Sequence, residues 1–143
     1  MEKNNEVFEI KRQTRFIVTF PVELFKIPKY VVNRASRPKF IVNEVGAVIW
    51  QPMQFRLYDP ITPSTTQSIL FPIQNRGGII TPDNAAFDIK LELLGPVGDL
   101  VEEWKLTGTI TAIDFGGLDW ESTETDTLNI CINFNLQNAT LLF

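Results

Sequence analysis

Apolar and polar residues alternate along most of this chain. A period of two is the signature of a β-strand with one buried face. The cleanest run is the last one. Leu128, Ile130, Ile132, Phe134 and Leu136 fall on one side, and Asn129, Cys131, Asn133, Asn135 and Gln137 on the other. At roughly 3.3 Å per residue, ten such residues span about 33 Å. One strand would therefore cross nearly the whole width of a domain this size, with a second face that is polar but uncharged.

The same period places a strand at 15–21, where Phe16, Val18 and Phe20 share a face, and a short one at 30–33 followed by a turn over 34–38. Residues 39–45 and 47–58 read as a long hairpin around Gly46, with an edge or bulge at Pro52, which has no N–H for a ladder. A strand-and-turn pattern occurs twice: residues 54–60 and 89–96 alternate, and each runs into a proline turn. Strands at 87–94 and 100–114 form a hairpin across the Gly/Pro-rich turn 95–99. Thr62 and Pro63 open the one predicted helix, as its cap and first residue, and its Ser/Thr content makes that helix short. Loops are expected at 74–84 and, acidic in character, at 114–126. Residues 1–13 read as a mobile arm. The expected fold class is all-β, mainly β with one short helix, in a single domain over 1–143.

With 143 residues, 44% of them hydrophobic, the chain is long enough to bury a core of its own. The formal charge of −4 argues against a module that grips nucleic acid, which would carry a basic face. An acidic wall instead repels phosphates and lets a polyanion slide past. The chain has no His, so the usual proton shuttle and the commonest zinc and iron ligand are missing. The lone Cys131 permits no internal disulfide and has no His to activate it. No apolar stretch reaches the length of a membrane helix, and the N-terminal residues are not of signal type. The pattern calls for no cofactor.

The charged groups admit plain readings. Asp114, Asp119, Glu121, Glu124 and Asp126 cluster, but their spacing matches no calcium loop, and a solvated connection or a contact between copies accounts for them. Residues 95–99 lack the Lys and helix of a phosphate loop and read as a β-turn. Arg34, Arg37 and Lys39 form a basic patch suited to an acidic neighbour. Trp50, Trp104 and Trp120 are expected as core or interface anchors.

Two runs carry a family resemblance. Trp50-x-Pro-x-x-Phe-x-Leu-Tyr-Asp-Pro-Ile-x-Pro-Ser-Thr-x-Gln67 and Lys90-Leu-Glu-Leu-Leu-Gly-Pro-Val-Gly-Asp-x-Val-Glu-x-Trp-x-Leu-x-Gly108 resemble the tail tube proteins of contractile-tailed bacteriophages. So does Ile113-Asp-Phe-Gly-Gly-Leu-Asp119 with the alternating strand after it. The resemblance runs from about residue 15 to the end. It implies a tail-tube-type β-barrel or sandwich whose long hairpins join those of neighbours into one inter-subunit barrel. It also implies a homo-oligomer of six copies per ring, rings stacked into a tube, and a surrounding sheath and a baseplate as partners. DNA would pass through the lumen without specific binding, and the protein, made in the host cytoplasm, would end in the virion tail. On this reading Lys105, Thr107, Thr109, Thr111, Asn129, Asn133, Asn135 and Gln137 face the lumen. Arg34, Arg37, Lys39, Trp50, Trp104, Trp120, Asp119 and Glu121 lie at interfaces. The rivals are a specialised ring of the baseplate or tail end, the tube of a contractile injection system, and, from a different class, a monomeric β-barrel carrier for a small apolar ligand. An enzyme is not expected.

Overall fold

The structure, a computed structural model, describes residues 10–12, 15–78, 86–121 and 127–143. The 1–13 arm, the 74–84 loop and the acidic connection, with Glu124 and Asp126, therefore lie partly outside the described residues.

Six antiparallel strands make the main sheet, in the order β1 (Phe16–Thr19), β6 (Phe87–Leu94), β7 (Leu100–Asp114), β8 (Asn129–Leu141), β5 (Met53–Tyr58) and β2 (Val32–Arg34). The sheet curls until its two edge strands face one another: β1 packs against the 3-10 turn Lys29–Val31 that leads into β2. The result is a barrel-like sheet, nearly closed. Its interior is filled by alternating residues of every strand, as the period-two pattern requires. Ile130, Ile132, Phe134 and Leu136 of β8 are all buried, as are Phe55 and Leu57 of β5 and Ile89, Leu91 and Leu93 of β6. Phe134 lies between Phe55 and Phe87, with ring centroids 6.1 and 5.6 Å away. Leu128 departs from the predicted face. It is 40% exposed, because it precedes β8 and no strand pairs across it.

The expected long hairpin over 39–58 is corrected. Residues 47–58 are not one arm but two strands in two sheets. β3 (Phe40–Val42) and β4 (Val48–Trp50) form a short hairpin of their own, and β5 belongs to the main sheet. The division falls at Pro52, where the missing N–H ends the ladder instead of bulging it. The turn is built by Asn43, whose side-chain oxygen accepts from Val45 N (3.0 Å) and Ala47 N (2.9 Å). Gly46 follows with φ +82, a conformation that only glycine adopts without strain.

The helix α1 (Thr65–Arg76) also differs from expectation. Its cap is Ser64, not Thr62, and Pro63 stands before the helix. Ser64 Oγ accepts from Gln67 N at 3.2 Å, while Asp59 reaches across to accept from Thr66 N at 3.1 Å. These two acceptors satisfy N–H groups that a helix start leaves unpaired. The helix is twelve residues long and passes through Pro72, despite that residue's lost hydrogen bond. Tertiary contacts offset the cost. Ile69 is fully buried, Ile73 packs on the core, and Arg76 donates to the carbonyls of Glu23 (2.8 Å) and Leu24 (2.9 Å). Gly77, with φ +80, closes the end, and Gly78 N bonds back to Ile73 O.

Candidate functional site: unpaired edges and an apolar hairpin

Among the described residues, two parts of the fold are left without partners. The first is the β7–β8 pair, which is open on one flank at each of its two ends. The β6–β7 ladder stops at Gly108, so Thr109 to Asp114 pair only with β8. The β5–β8 ladder stops at Phe134, so Asn135 to Leu141 pair only with β7. Each strand thus runs on past its other neighbour, with backbone N–H and C=O groups facing outward. Open edges of this kind are templates for another strand.

The second is the β3–β4 hairpin. Its register sets Phe40 opposite Trp50, Ile41 opposite Ile49 and Val42 opposite Val48. Consecutive strand residues point to opposite faces, so both faces are apolar. Phe40, Ile41, Val42, Val48 and Ile49 are all exposed, and Phe40 stacks edge-on against Trp50 with centroids 5.2 Å apart. Trp50 packs on the core, but these five residues stay exposed, and a two-stranded hairpin by itself is marginal in water. Contiguous exposed apolar surface of this kind marks an interaction site.

The proposed lumen residues share one face. Lys105, Thr107, Thr109 and Thr111 alternate with the buried Leu106, Gly108 and Ile110. Asn133, Asn135 and Gln137 are exposed, and Asn129 is half-buried. Asn133 Oδ1 accepts from Gln54 at 3.1 Å, and Asn129 Oδ1 from Asn33 at 3.2 Å. Past Lys105, this face of β7 and β8 is therefore built of uncharged amides and hydroxyls, with Asp88 and Lys90 of β6 beside it.

The interface candidates are dispersed. Trp50 and Trp104 are half-buried against the core, whereas Trp120 is fully exposed and is not a core residue. Asp119 Oδ1 accepts from Glu121 N in a local turn, and both residues are exposed. Arg34 and Lys39 are exposed, but Arg37 already has an acidic partner in its own chain.

That partner is Glu102, which sequence reasoning missed. Its carboxylate is almost fully buried and collects Lys11 from the N-terminal segment, Arg37 from the link into β3, and the Trp104 indole N–H. Burial pushes the carboxyl pKa up, but the hydrogen bonds from Lys11 and Trp104, with the charge of Arg37, outweigh it and hold the group below the ordinary range. A lowered folded-state pKa stabilises above the unfolded value, about 4.3, and that contribution is lost as pH falls through the folded value. Glu102→Gln is expected to cost about 2 kcal/mol at pH 7. It should also flatten the acid limb of stability below about pH 4.3, as read by urea unfolding at a series of pH values. The only signal in the sequence was a Glu on the inward-facing side of an alternating strand.

Among the described residues no group of three or more His, Cys, Asp or Glu is placed to hold a metal ion, and no helix is long and apolar enough to cross a membrane.

No family model and no curated protein matches the sequence. Solved structures do match. A chain of the sheath-tube complex of an extracellular contractile injection system (PVC), in its extended state, aligns with a TM-score of 0.60 and 19% identity, over 92% of this chain and 90% of that one. A chain of the anti-feeding prophage (AFP) baseplate aligns at 0.64 and 16% identity, over 95% and 97%. A chain of the PVC sheath/tube terminator aligns at 0.62 and 18%, over 96% and 100%. The chain has the fold of contractile-system tube proteins. At this identity the likeness establishes the fold, and the resemblance read from residues 50–67 and 90–108 pointed to the same one.

Proposed function

We propose that this protein is a structural subunit of the inner tube of a contractile tail or injection system. Six copies close a ring, and rings stack around a channel. The observation that supports this most directly is the pair of incomplete elements. A β7–β8 pair with open ladders on both flanks and a hairpin apolar on both faces are what a subunit needs if its neighbours finish its sheet and cover its surface. The mechanism is passive. Strand addition between copies satisfies the outward N–H and C=O groups, burial of the hairpin supplies the non-directional term, and the amide-and-hydroxyl face of β7 and β8 lines the channel. In our reading DNA is the polymer conducted, and a wall that sets one cation, Lys105, among the uncharged Thr107, Thr109, Thr111, Asn129, Asn133, Asn135 and Gln137 does not hold it. Sheath and baseplate proteins would be the outer partners.

A second position in the same assembly is supported by a specific match. The terminator chain aligns over the whole of its own length, so a ring at the tube's end fits this fold as well as the repeated subunit does.

Electron microscopy of the purified full chain tests the proposal. Rings with six-fold symmetry and a central channel are expected, stacking into tubes as concentration rises. A species that stays monomeric at high concentration by light scattering would overturn it and favour the carrier reading. Copy number per native particle separates main tube from end ring.

A further inference from the structure

The chain's charges are strongly segregated. Between residues 10 and 39 eight basic residues stand against one acid, Glu23. Residues 106–143 contain five acids and no Lys or Arg.

The basic stretch supplies both sides of the barrel's open seam. The two edge strands, β1 and β2, do not hydrogen-bond to one another, and a groove of about 590 Å³ lies between them. Lys11, Arg12, Arg34 and Arg37 line it, over a floor of Phe16, Leu91 and Leu93. Glu102 partly offsets two of these cations, Lys11 and Arg37. Arg12 and Arg34 have no acidic partner within 4 Å among the described residues.

The acidic stretch emerges from the end of β7. In the strand order β1-β6-β7-β8-β5-β2, the pair β7 and β8 sits farthest from both edges. The connection leaving β7 presents Asp114, Asp119 and Glu121, all exposed, beside the fully exposed Trp120. Among the described residues no ion pair joins Arg12 or Arg34 to this loop within one chain. Groove and loop can meet between copies, and such a contact is heterologous, so it repeats.

We propose that the seam groove of one copy receives the acidic loop around Asp119 and Glu121 of a second copy, with Arg12 and Arg34 as the recognising cations. Charge complementarity within one sequence is the reason to choose a second copy over another anionic partner. Trp120 between the two acids offers a ring to the groove's apolar floor or to a guanidinium face. This contact joins ring to ring and rests on the tube reading above. It assigns the two kinds of surface to different jobs: apolar burial and strand pairing close the ring, and ion pairs join one ring to the next. Ion pairs near a surface weaken with salt and apolar burial does not.

The test uses the full chain and a charge swap. One variant reverses the groove (Arg12→Glu with Arg34→Glu), one reverses the loop (Asp119→Lys with Glu121→Lys), and one combines all four changes. Arg37 is left alone because it holds Glu102. Circular dichroism checks that each variant is folded. Wild-type tubes are expected to break down to single rings between roughly 50 and 500 mM salt as the Debye length shrinks from about 14 to 4 Å. Each single reversal should cut the pelletable fraction at least tenfold while leaving single rings intact, and the combined variant should restore stacking. Folded single-reversal variants that stack like wild type, or a combined variant that fails to recover, would overturn the inference while leaving the tube reading in place. Swap-rescued assemblies without a six-fold channel would sink the tube reading and keep the contact. A wild-type monomer under all conditions would sink both.

Discussion

Replacing the exposed pair Ile41→Lys and Ile49→Glu is expected to abolish ring formation while leaving the isolated subunit folded. The two positions face each other directly across the β3–β4 hairpin. The new side chains therefore preserve the turn with a cross-strand ion pair and remove only apolar surface. Both isoleucines are exposed in the single chain, at 47% and 42%, so the subunit's own core loses nothing. In an assembly each buried isoleucine is worth about 1.5–3 kcal/mol. Losing two weakens association by about 3–6 kcal/mol, or roughly two to four orders of magnitude in the concentration needed. Analytical ultracentrifugation across a concentration series reads this directly, with the thermal melt as the folding control. Rings forming at the wild-type concentration would mean that the hairpin faces solvent in the assembly, and the account of how the ring closes would fail.

Gly108→Val is expected to have the largest effect on the subunit itself. A Cβ at this position would lie 2.1 Å from the backbone oxygen of Asn135 and 2.9 Å from Cζ of Phe134. The first of these atoms is main chain in the adjacent strand and cannot rotate away. Gly108 also stands where the β7–β8 register shifts, between Thr107 and Gly108, and is buried under the aromatic cluster of Phe134, Phe55 and Phe87. Overpacking at such a point costs about 3 kcal/mol, or roughly 10 °C in melting temperature for a chain of this size. Gly117→Ala is the control: nothing lies within 4 Å of its Cβ position and its φ is not in the left-handed region, so a change within about 0.5 kcal/mol is expected. Urea unfolding at pH 7 measures both. A Gly108 variant as stable as the wild type would show that the strands separate there at little cost.

The sheet was legible because alternation is a local property. Each of the inward residues Ile130, Ile132, Phe134 and Leu136 declares its face by its neighbours alone, and the turn chemistry of residues 95–99 fixes where β6 ends and β7 begins. The helix was misjudged at both ends because its limits are set from outside it. Asp59, six residues upstream of Thr65, caps the first turn, and the carbonyls of Glu23 and Leu24 hold Arg76 at the last. Propensity summed over residues 62–70 contains neither fact. Pro52 was recognised as an interruption, but a missing N–H has the same local meaning at a bulge and at a break between sheets.

By itself, then, the sequence determined the strand-rich class, the faces of the long strands, the uncharged polar face of the last strand and the segregation of charge along the chain, since each depends only on the order of side chains along a pleated backbone. The tertiary structure alone decided which ladders stop short, that the β3–β4 hairpin leaves apolar residues exposed on both faces, that Glu102 gathers Lys11 and Arg37, and that the basic stretch lines both sides of the barrel's seam. Those features depend on pairings between residues far apart in the chain, and the energy of such a pairing is not written at either of its ends.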